Sequence, residues 1–140
     1  MEKTTTTVVA VSLESALRIV RLGIEEGAKR GLLVCIAVVD PGLRMVAMGR
    51  ADGTTPHSLE TSRRKAVTAA TTRRASGWME GDFALALPMA SGGELTNILG
   101  GFPVVVDGAI VGGFGVAGAT PAEDAEIGDV VSARLEESSV

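Results

Sequence analysis

Two β-hairpin patterns constrain the fold of this 140-residue chain more than any other feature. In the first, the apolar run 32–39 is followed by Asp40-Pro41-Gly42 and then by a second apolar segment, 43–48. Proline presets φ for a turn and glycine accepts a positive φ, so these three residues are typical of a turn between strands.

The second hairpin pattern lies near the end of the chain. Asp107-Gly108 separates the apolar runs 103–106 and 109–116. An Asp-Gly pair between two apolar runs is a strong signal of a tight turn between antiparallel strands. A further short strand is expected at 8–11.

Helical patterns alternate with these hairpins. Ser12 is a good N-cap for a helix over 13–30, and Thr54 or Thr55, followed by Pro56, predicts a helix over 56–74. Thr120 and Glu123 have the spacing of a capping box, which predicts a last helix that ends near Leu135 and leaves 136–140 frayed. The segment 77–93 is expected to hold one or two short helical turns around 83–87, ended by Pro88.

Hairpins separated by helices predict an α+β fold, in which helices flank an antiparallel sheet in an α/β/α sandwich-like arrangement. The length fits a single domain over residues 1–140, and no internal repeat or linker is visible. Hydrophobic residues make up 46% of the chain, which is enough for a core built from aliphatic side chains.

Charge and composition exclude several classes of function. The net charge of −4 argues against a nucleic-acid partner, which needs a basic excess to displace counterions from phosphate. The single cysteine, Cys35, cannot form an intrachain disulfide, and one His and one Cys cannot make a zinc site. Because neither a signal peptide nor an apolar run of membrane-spanning length is visible, we expect a cytoplasmic protein without a membrane partner.

A glycine cluster occupies the last predicted strand. Residues 113–118 match the pattern GxGxxG, but the chain ends before a nucleotide-binding unit could follow. Glycines on a strand let a ligand or another backbone approach the sheet. Gly112, Gly113 and Gly115 therefore indicate either a ligand-binding surface or a tight contact with a helix or a second subunit, and these two interpretations are equally favoured.

Polar residues of the second helix are the other candidates. His57, the only imidazole, is either a solvent-facing residue of the first turn or a functional residue that contacts a ligand or binds iron. Glu60 and Arg64 are spaced to pair on the helix surface. Lys65 is flanked by small apolar residues, so its ammonium either reaches along the surface to solvent or points into a pocket.

These motifs resemble the GlcG/HbpS haem-binding family, which includes the C-terminal domain of PduO-type cobalamin enzymes. The first half of the resemblance rests on 40–42, 50–53 and 60–69, and the second half on 100–103, 107–108, 112–118 and Glu123-Asp124. The resemblance covers nearly the whole chain and keeps the motif order. It implies a profilin-like domain that assembles into dimers and often octamers, and it makes haem a candidate cofactor. Other members of the family carry a lyase activity on hydroxylaminobenzoate.

Two functions follow from the residues and the resemblance together. The first is a cytoplasmic small-ligand-binding protein that takes haem or a related tetrapyrrole, with His57 as the metal ligand. The second is a small catabolic enzyme of the lyase type, acting on an aromatic or hydroxy-acid substrate. An oligomer that binds no ligand is a third hypothesis.

The expected site lies where 50–53 meets the second helix and the glycine strand. Arg50, Arg64 or Lys65 would hold a carboxylate of the ligand, because guanidinium and ammonium groups match that anion. Glu60 and Lys65 are the catalytic candidates. The remaining binding candidates are Asp52, Gly53, Gly112, Gly113 and Gly115. Small residues on the second helix and the glycine strand predict a homo-oligomer, from dimer to octamer.

Overall fold

The computed structural model describes residues 3–138 and confirms the predicted α+β architecture. The elements are α1 (Leu13–Lys29), β1 (Cys35–Val39), β2 (Met45–Arg50), α2 (Ser58–Thr72), α3 (Phe83–Ala90), β3 (Gly101–Val106), β4 (Ala109–Ala117) and α4 (Pro121–Ser138). The strands form one antiparallel sheet in the order β2-β1-β4-β3. The two predicted hairpins are therefore joined side by side through β1 and β4.

The core has one apolar layer on each face of the sheet. Even-numbered residues of β1 and β4, such as Ile36 and Phe114, pack with Ile19 of α1 and Ile127 of α4. Odd-numbered residues of β1 pack instead against α2. Because side chains alternate across a strand, β1 is buried along its whole length. The helices thus form outer layers, with α1 and α4 on one face and α2 on the other.

Local signals set several boundaries correctly. The Ser12 side chain accepts a hydrogen bond from the Ser15 N–H at 3.1 Å and caps α1. Asp107 and Gly108 have φ values of 50° and 79°, as a two-residue hairpin turn of type I′ requires. Thr120 and Glu123 exchange hydrogen bonds in the predicted capping box.

Three local predictions are wrong. Residues 8–11 form no strand, although the Val11 N–H donates to the Val111 carbonyl. In the first hairpin the positive φ belongs to Leu43 and not to Gly42. Helix α2 begins at Ser58, because 56–57 form a turn in which the Ser58 N–H donates to the Thr55 carbonyl.

The two remaining helices differ from prediction in length. Helix α3 runs through Pro88 to Ala90, and Pro88 does not end it. Helix α4 continues to Ser138, so frayed ends were wrongly predicted for 136–138, while 139–140 lie outside the described residues. Among residues 3–138, no helix combines the length and apolar character needed to cross a bilayer.

Candidate functional site

A cleft of about 400 Å³ lies where the first turns of α2 and α4 meet the carboxyl end of β4. Helix α2 lines it with His57, Ser58, Thr61 and Lys65, and α4 lines it with Pro121 and Asp124. Thr55, Ile98 and the segment 117–119 complete its walls. This volume lies within the range of small-molecule sites in proteins.

Lys65 borders this cleft and is nearly inaccessible, with 1% of its surface exposed. Its Nζ donates to the Val116 carbonyl at 2.7 Å and to Asp124 Oδ2 at 2.9 Å. Because a lysine ammonium has three protons, one N–H is left without a partner among residues 3–138. Of the two interpretations of Lys65, the geometry therefore excludes the one in which it reaches to solvent.

Gly100 makes room for this ammonium group. A Cβ atom placed on Gly100 would lie 2.9 Å from Lys65 Nζ, 2.6 Å from the Val116 carbonyl oxygen and 3.1 Å from Asp124 Cβ. Gly100 also has a φ of 124°, which side-chain-bearing residues rarely adopt. Because Gly100 has no side chain, the Lys65 side chain has the space to extend from α2, on one face of the sheet, to Asp124 of α4.

Asp124 completes the buried pair from the first turn of α4. Its second carboxylate oxygen accepts a hydrogen bond from the Ala119 N–H at 3.0 Å. Burial raises the pKa of Asp124 and lowers the pKa of Lys65, and in each case the attraction of the partner opposes the effect of burial. The pair therefore borders the cleft as two buried groups, each of which needs the other's charge to stay ionised.

The first turns of the two helices differ in how their N–H groups are satisfied. The capping box of Thr120 and Glu123 closes the start of α4. At the start of α2, His57 occupies the cap position without a side-chain hydrogen bond to the helix, and the hydroxyls of Thr55 and Ser58 bond to each other at 2.6 Å. The exposed His57 side chain therefore stands at the cleft without a cap role.

Glu60 and Arg64 lie outside the cleft walls. Glu60 pairs with Arg63 at 3.0 Å and more loosely with Arg64 at 3.5 Å, which agrees with the predicted surface pairing. Arg63 also binds Glu94 at 2.7 Å. Arg64 borders a second cleft of about 250 Å³, which shares Thr61 and Ile98 with the first. Helix α2 thus separates the two catalytic candidates, since Lys65 borders the main cleft and Glu60 belongs to a surface network.

The segment 50–53 is not part of the cleft lining. Arg50 ends β2 opposite the buried Cys35. Burial raises the pKa of the Cys35 thiol, and the Arg50 guanidinium offsets only part of this rise. Asp52 and Gly53 form an exposed turn, and Gly53 has a φ of 87°. The ligand-binding roles of Arg50, Asp52 and Gly53 stay predictions.

The space opposite the glycines of β4 is filled. A Cβ atom on Gly113 or Gly115 would collide with backbone atoms of α2, at Ala66 and Ser62 respectively, and one on Gly112 would collide with the Val39 carbonyl. The glycines therefore bring α2 close to the sheet, which was the alternative to a ligand surface. These glycines therefore leave no room for a ligand over the sheet, and the open cleft lies at the end of β4 instead.

The chain offers few metal ligands in one place. Within residues 3–138, no three His, Cys, Asp or Glu side chains lie together as a metal site. The assignment of His57 as a ligand of iron stays a prediction.

Sequence reasoning missed Asp124 as the partner of Lys65. The capping box predicted that Asp124 lies in the first turn of α4, and Glu123-Asp124 was part of the family resemblance. The two residues are 59 positions apart, so only the packing of α4 against the sheet end brings them together.

Comparison with known proteins finds relatives along most of the chain. A family model described as "Haem degrading protein HbpS-like" matches residues 11–131. Protein GlcG of Escherichia coli (strain K12) is 38% identical over 119 residues, which cover 79% of this chain and 84% of GlcG.

Solved structures share the fold along most of its length. A double mutant of Streptomyces reticuli HbpS is 30% identical, with a TM-score of 0.85 over 96% of this chain and 93% of that one. A PduOC–haem complex is 24% identical, with a TM-score of 0.82 over 89% of this chain and 94% of that one. At that level of identity the PduOC likeness shows the fold alone.

Proposed function

Because the chain belongs to the HbpS-like haem-degrading family, we propose that it is a cytoplasmic small-ligand-binding protein that takes haem or a related tetrapyrrole. The proposed binding site is the cleft between α2 and α4. One observation carries the proposal: His57, the only imidazole of the chain, lines this cleft with its side chain exposed. A neutral imidazole is a common ligand of haem iron.

The walls of the cleft suit the two chemical parts of a haem. Ile98, Ala117, Ala119 and Pro121 provide apolar surface for a porphyrin ring. The Thr55 and Ser58 hydroxyls share one hydrogen bond and so keep one free proton, which together with the positive end of the α2 dipole suits the carboxylates at the edge of such a ligand. The unpartnered N–H of Lys65 adds a donor next to them. When bound, the iron would supply redox chemistry, and the residues named here would hold and orient it.

Support also comes from the relatives. The family description names haem degradation, and the fold is shared with the PduOC–haem complex. The proposal transfers ligand class and not residue roles, because the same fold can carry different ligands.

One observation favours the enzyme hypothesis as a second candidate. The buried Lys65–Asp124 pair borders the cleft, and its altered pKa values are typical of groups that transfer protons. A lyase acting on an aromatic or hydroxy-acid substrate, such as a hydroxylaminobenzoate-like compound, would use Lys65 with Asp124 rather than with Glu60. Asp124 is the better partner because it is within hydrogen-bond distance of Lys65.

A haemin titration tests the haem proposal. We expect the wild-type protein to produce a Soret band of a protein-bound haem, and His57→Ala to shift this band because the axial ligand is lost. Ala119→Trp should fill the cleft and abolish binding, whereas Lys29→Ala, on the exposed surface of α1, should leave the spectrum unchanged.

Two results would contradict the proposal. If the wild type binds haemin no better than Ala119→Trp, haem does not occupy this cleft. If the spectrum of His57→Ala equals that of the wild type, His57 is not the iron ligand. Turnover of a hydroxylaminobenzoate without haem, abolished in Asp124→Asn, would favour the enzyme.

A further inference from the structure

The second cleft, of about 250 Å³, combines an apolar wall with a few polar groups. Its apolar wall comes from Pro88 of α3 and from Leu95 and Ile98, which precede β3. The polar side chains that line it are those of Thr61, Arg64 and Thr96. Sites for small molecules have this composition, because apolar walls provide the contact area and a few polar groups fix the orientation of the ligand.

The Arg64 guanidinium lies against Gly93, another residue of the cleft wall. A Cβ atom on Gly93 would be 3.3 Å from Arg64 Nη1 and 3.7 Å from its Cζ. Gly93 has a φ of 84°, a conformation that favours glycine. The missing side chain at position 93 therefore leaves room for the guanidinium in the wall of the second cleft.

Arg64 is little used by the carboxylates of the protein, in contrast to the preceding residue. Arg63 donates hydrogen bonds to Glu60 at 3.0 Å and 3.1 Å, and to both carboxylate oxygens of Glu94 at 2.7 Å and 2.9 Å. Arg64 makes one loose ion pair within residues 3–138, from its Nε to Glu60 at 3.5 Å. A guanidinium has five N–H donors, so most of those on Arg64 stay available to a ligand.

Thr96 provides a second donor in the same cleft. Its Oγ1 accepts a hydrogen bond from the Ile98 N–H at 3.3 Å, and its hydroxyl proton has no acceptor in the described part of the chain. The Thr96 N–H donates to Thr68 Oγ1 at 2.9 Å, and the buried Thr68 hydroxyl donates to the Arg64 carbonyl at 2.7 Å. These bonds fix the Thr96 backbone relative to the turn of α2 that carries Arg64.

We propose that the second cleft binds a small carboxylic acid with an apolar body, whose carboxylate is held by Arg64 and Thr96. The planar guanidinium matches the two oxygens of a carboxylate, and the apolar wall removes the body of the molecule from water. This site is separate from the one proposed for haem and does not depend on it. Because Thr61 and Ile98 line both clefts, ligands in the two clefts would lie next to each other.

A titration with cyclohexanecarboxylate, followed through the chemical shifts of the backbone amides, tests this site. We expect the largest shifts at Leu95, Thr96 and Ile98. Cyclohexanecarboxamide, a neutral molecule of the same shape, should bind about tenfold more weakly or worse, and so should the carboxylate to Arg64→Gln, because a charge-assisted hydrogen bond is lost. Thr96→Val keeps the shape of the side chain and should weaken binding about threefold, as the loss of a neutral hydrogen bond does.

Arg73→Gln is the matched control, because it removes the same charge at the other end of α2, outside the lining of the second cleft. It should bind cyclohexanecarboxylate as the wild type does. Equal affinity of the wild type for the carboxylate and the amide would overturn the proposal, as would unchanged affinity in Arg64→Gln. Shifts confined to 117–119 would also overturn it, because the acid would then occupy the main cleft. The far-UV circular dichroism of Arg64→Gln should match that of the wild type, since Arg64 is exposed.

Discussion

Two groups of ion pairs on α2 are two residues apart and differ in their environment. Lys65 points into the protein and meets Asp124 with both side chains at most 2% exposed. Arg63 points outward and meets Glu60 and Glu94, whose side chains are more than half exposed. Charges in solvent are screened, whereas a buried charge without a partner is costly. An ion pair on the buried side of α2 is thus expected to affect the free energy of unfolding much more than one on its outer side.

The largest effect is expected where the buried pair is broken. Lys65→Ala should lower the free energy of unfolding by about 3–5 kcal/mol, because Asp124 is left buried without its counter-charge. Urea unfolding measures this difference. Replacing both groups, as in Lys65→Met with Asp124→Leu, should recover most of the stability, because no charge is then left unpaired. If Lys65→Ala unfolds within about 1 kcal/mol of the wild type, solvent reaches the pair and the buried geometry is wrong.

The expected loss of stability distinguishes Lys65 from a lysine that only binds a ligand. A Lys65 that only contacted ligand could be removed without changing the fold. Because the side chain also bridges α2 and α4, its loss should affect stability and ligand binding together.

A smaller effect is expected from filling the space beside Lys65. Gly100→Ala should destabilise the protein by more than the roughly 1–3 kcal/mol that an unfavourable φ alone costs, because the new methyl group would also collide with the Val116 carbonyl and Lys65 Nζ. Gly81→Ala is the control, since Gly81 also has a positive φ, 58°, but no atom lies within 4 Å of its added Cβ. Equal losses of stability in the two variants, measured by thermal unfolding, would show that the space between Gly100 and Lys65 Nζ is not tightly packed.

The smallest effect is expected on the outer side of α2. Arg63→Ala should cost roughly 0.2–1 kcal/mol, a loss that should shrink further at high salt. Hydrogen bonds from Arg63 lower the pKa of Glu60 and of Glu94. The contribution of these carboxylates is therefore present above their unfolded-state pKa and is lost as the pH falls through the lower folded-state pKa. Stability curves of wild type and Arg63→Ala should converge at acid pH, and a gap that persists there would contradict this assignment.

Signals that lie within a few residues of each other predicted the elements best. The Asp107-Gly108 turn, the Ser12 cap and the capping box at Thr120 depend on local backbone geometry, so sequence spacing suffices to recognise them. The start of α2 was harder, because Thr55 bonds to Ser58 through its hydroxyl and Pro56 lies in a turn before the helix.

The sequence could not show which of the candidate site residues lie together in space, and the reason is physical. His57 and Lys65 do border one cleft, and both belong to the same helix. Arg50 and Asp52 do not line it. Their position shortly before α2 in the chain does not show which end of the sheet the cleft occupies. Gly113 and Gly115 were compatible with a ligand or a helix, and a pattern of missing side chains cannot identify what fills the space.

The sequence by itself determined the antiparallel hairpins, the order of helices and strands, and the family, because these depend on local turns, caps and motif order. Only the tertiary structure decided the environment of each charge. Residues 63 and 65 are nearly identical in sequence context, but the packing of α2 on β4 buries Lys65 and leaves Arg63 partly exposed. The tertiary structure also brings Asp124 to Lys65 across 59 positions and leaves the residues of α3 unburied. Both results depend on where whole helices pack on the sheet, which no local pattern in the sequence determines.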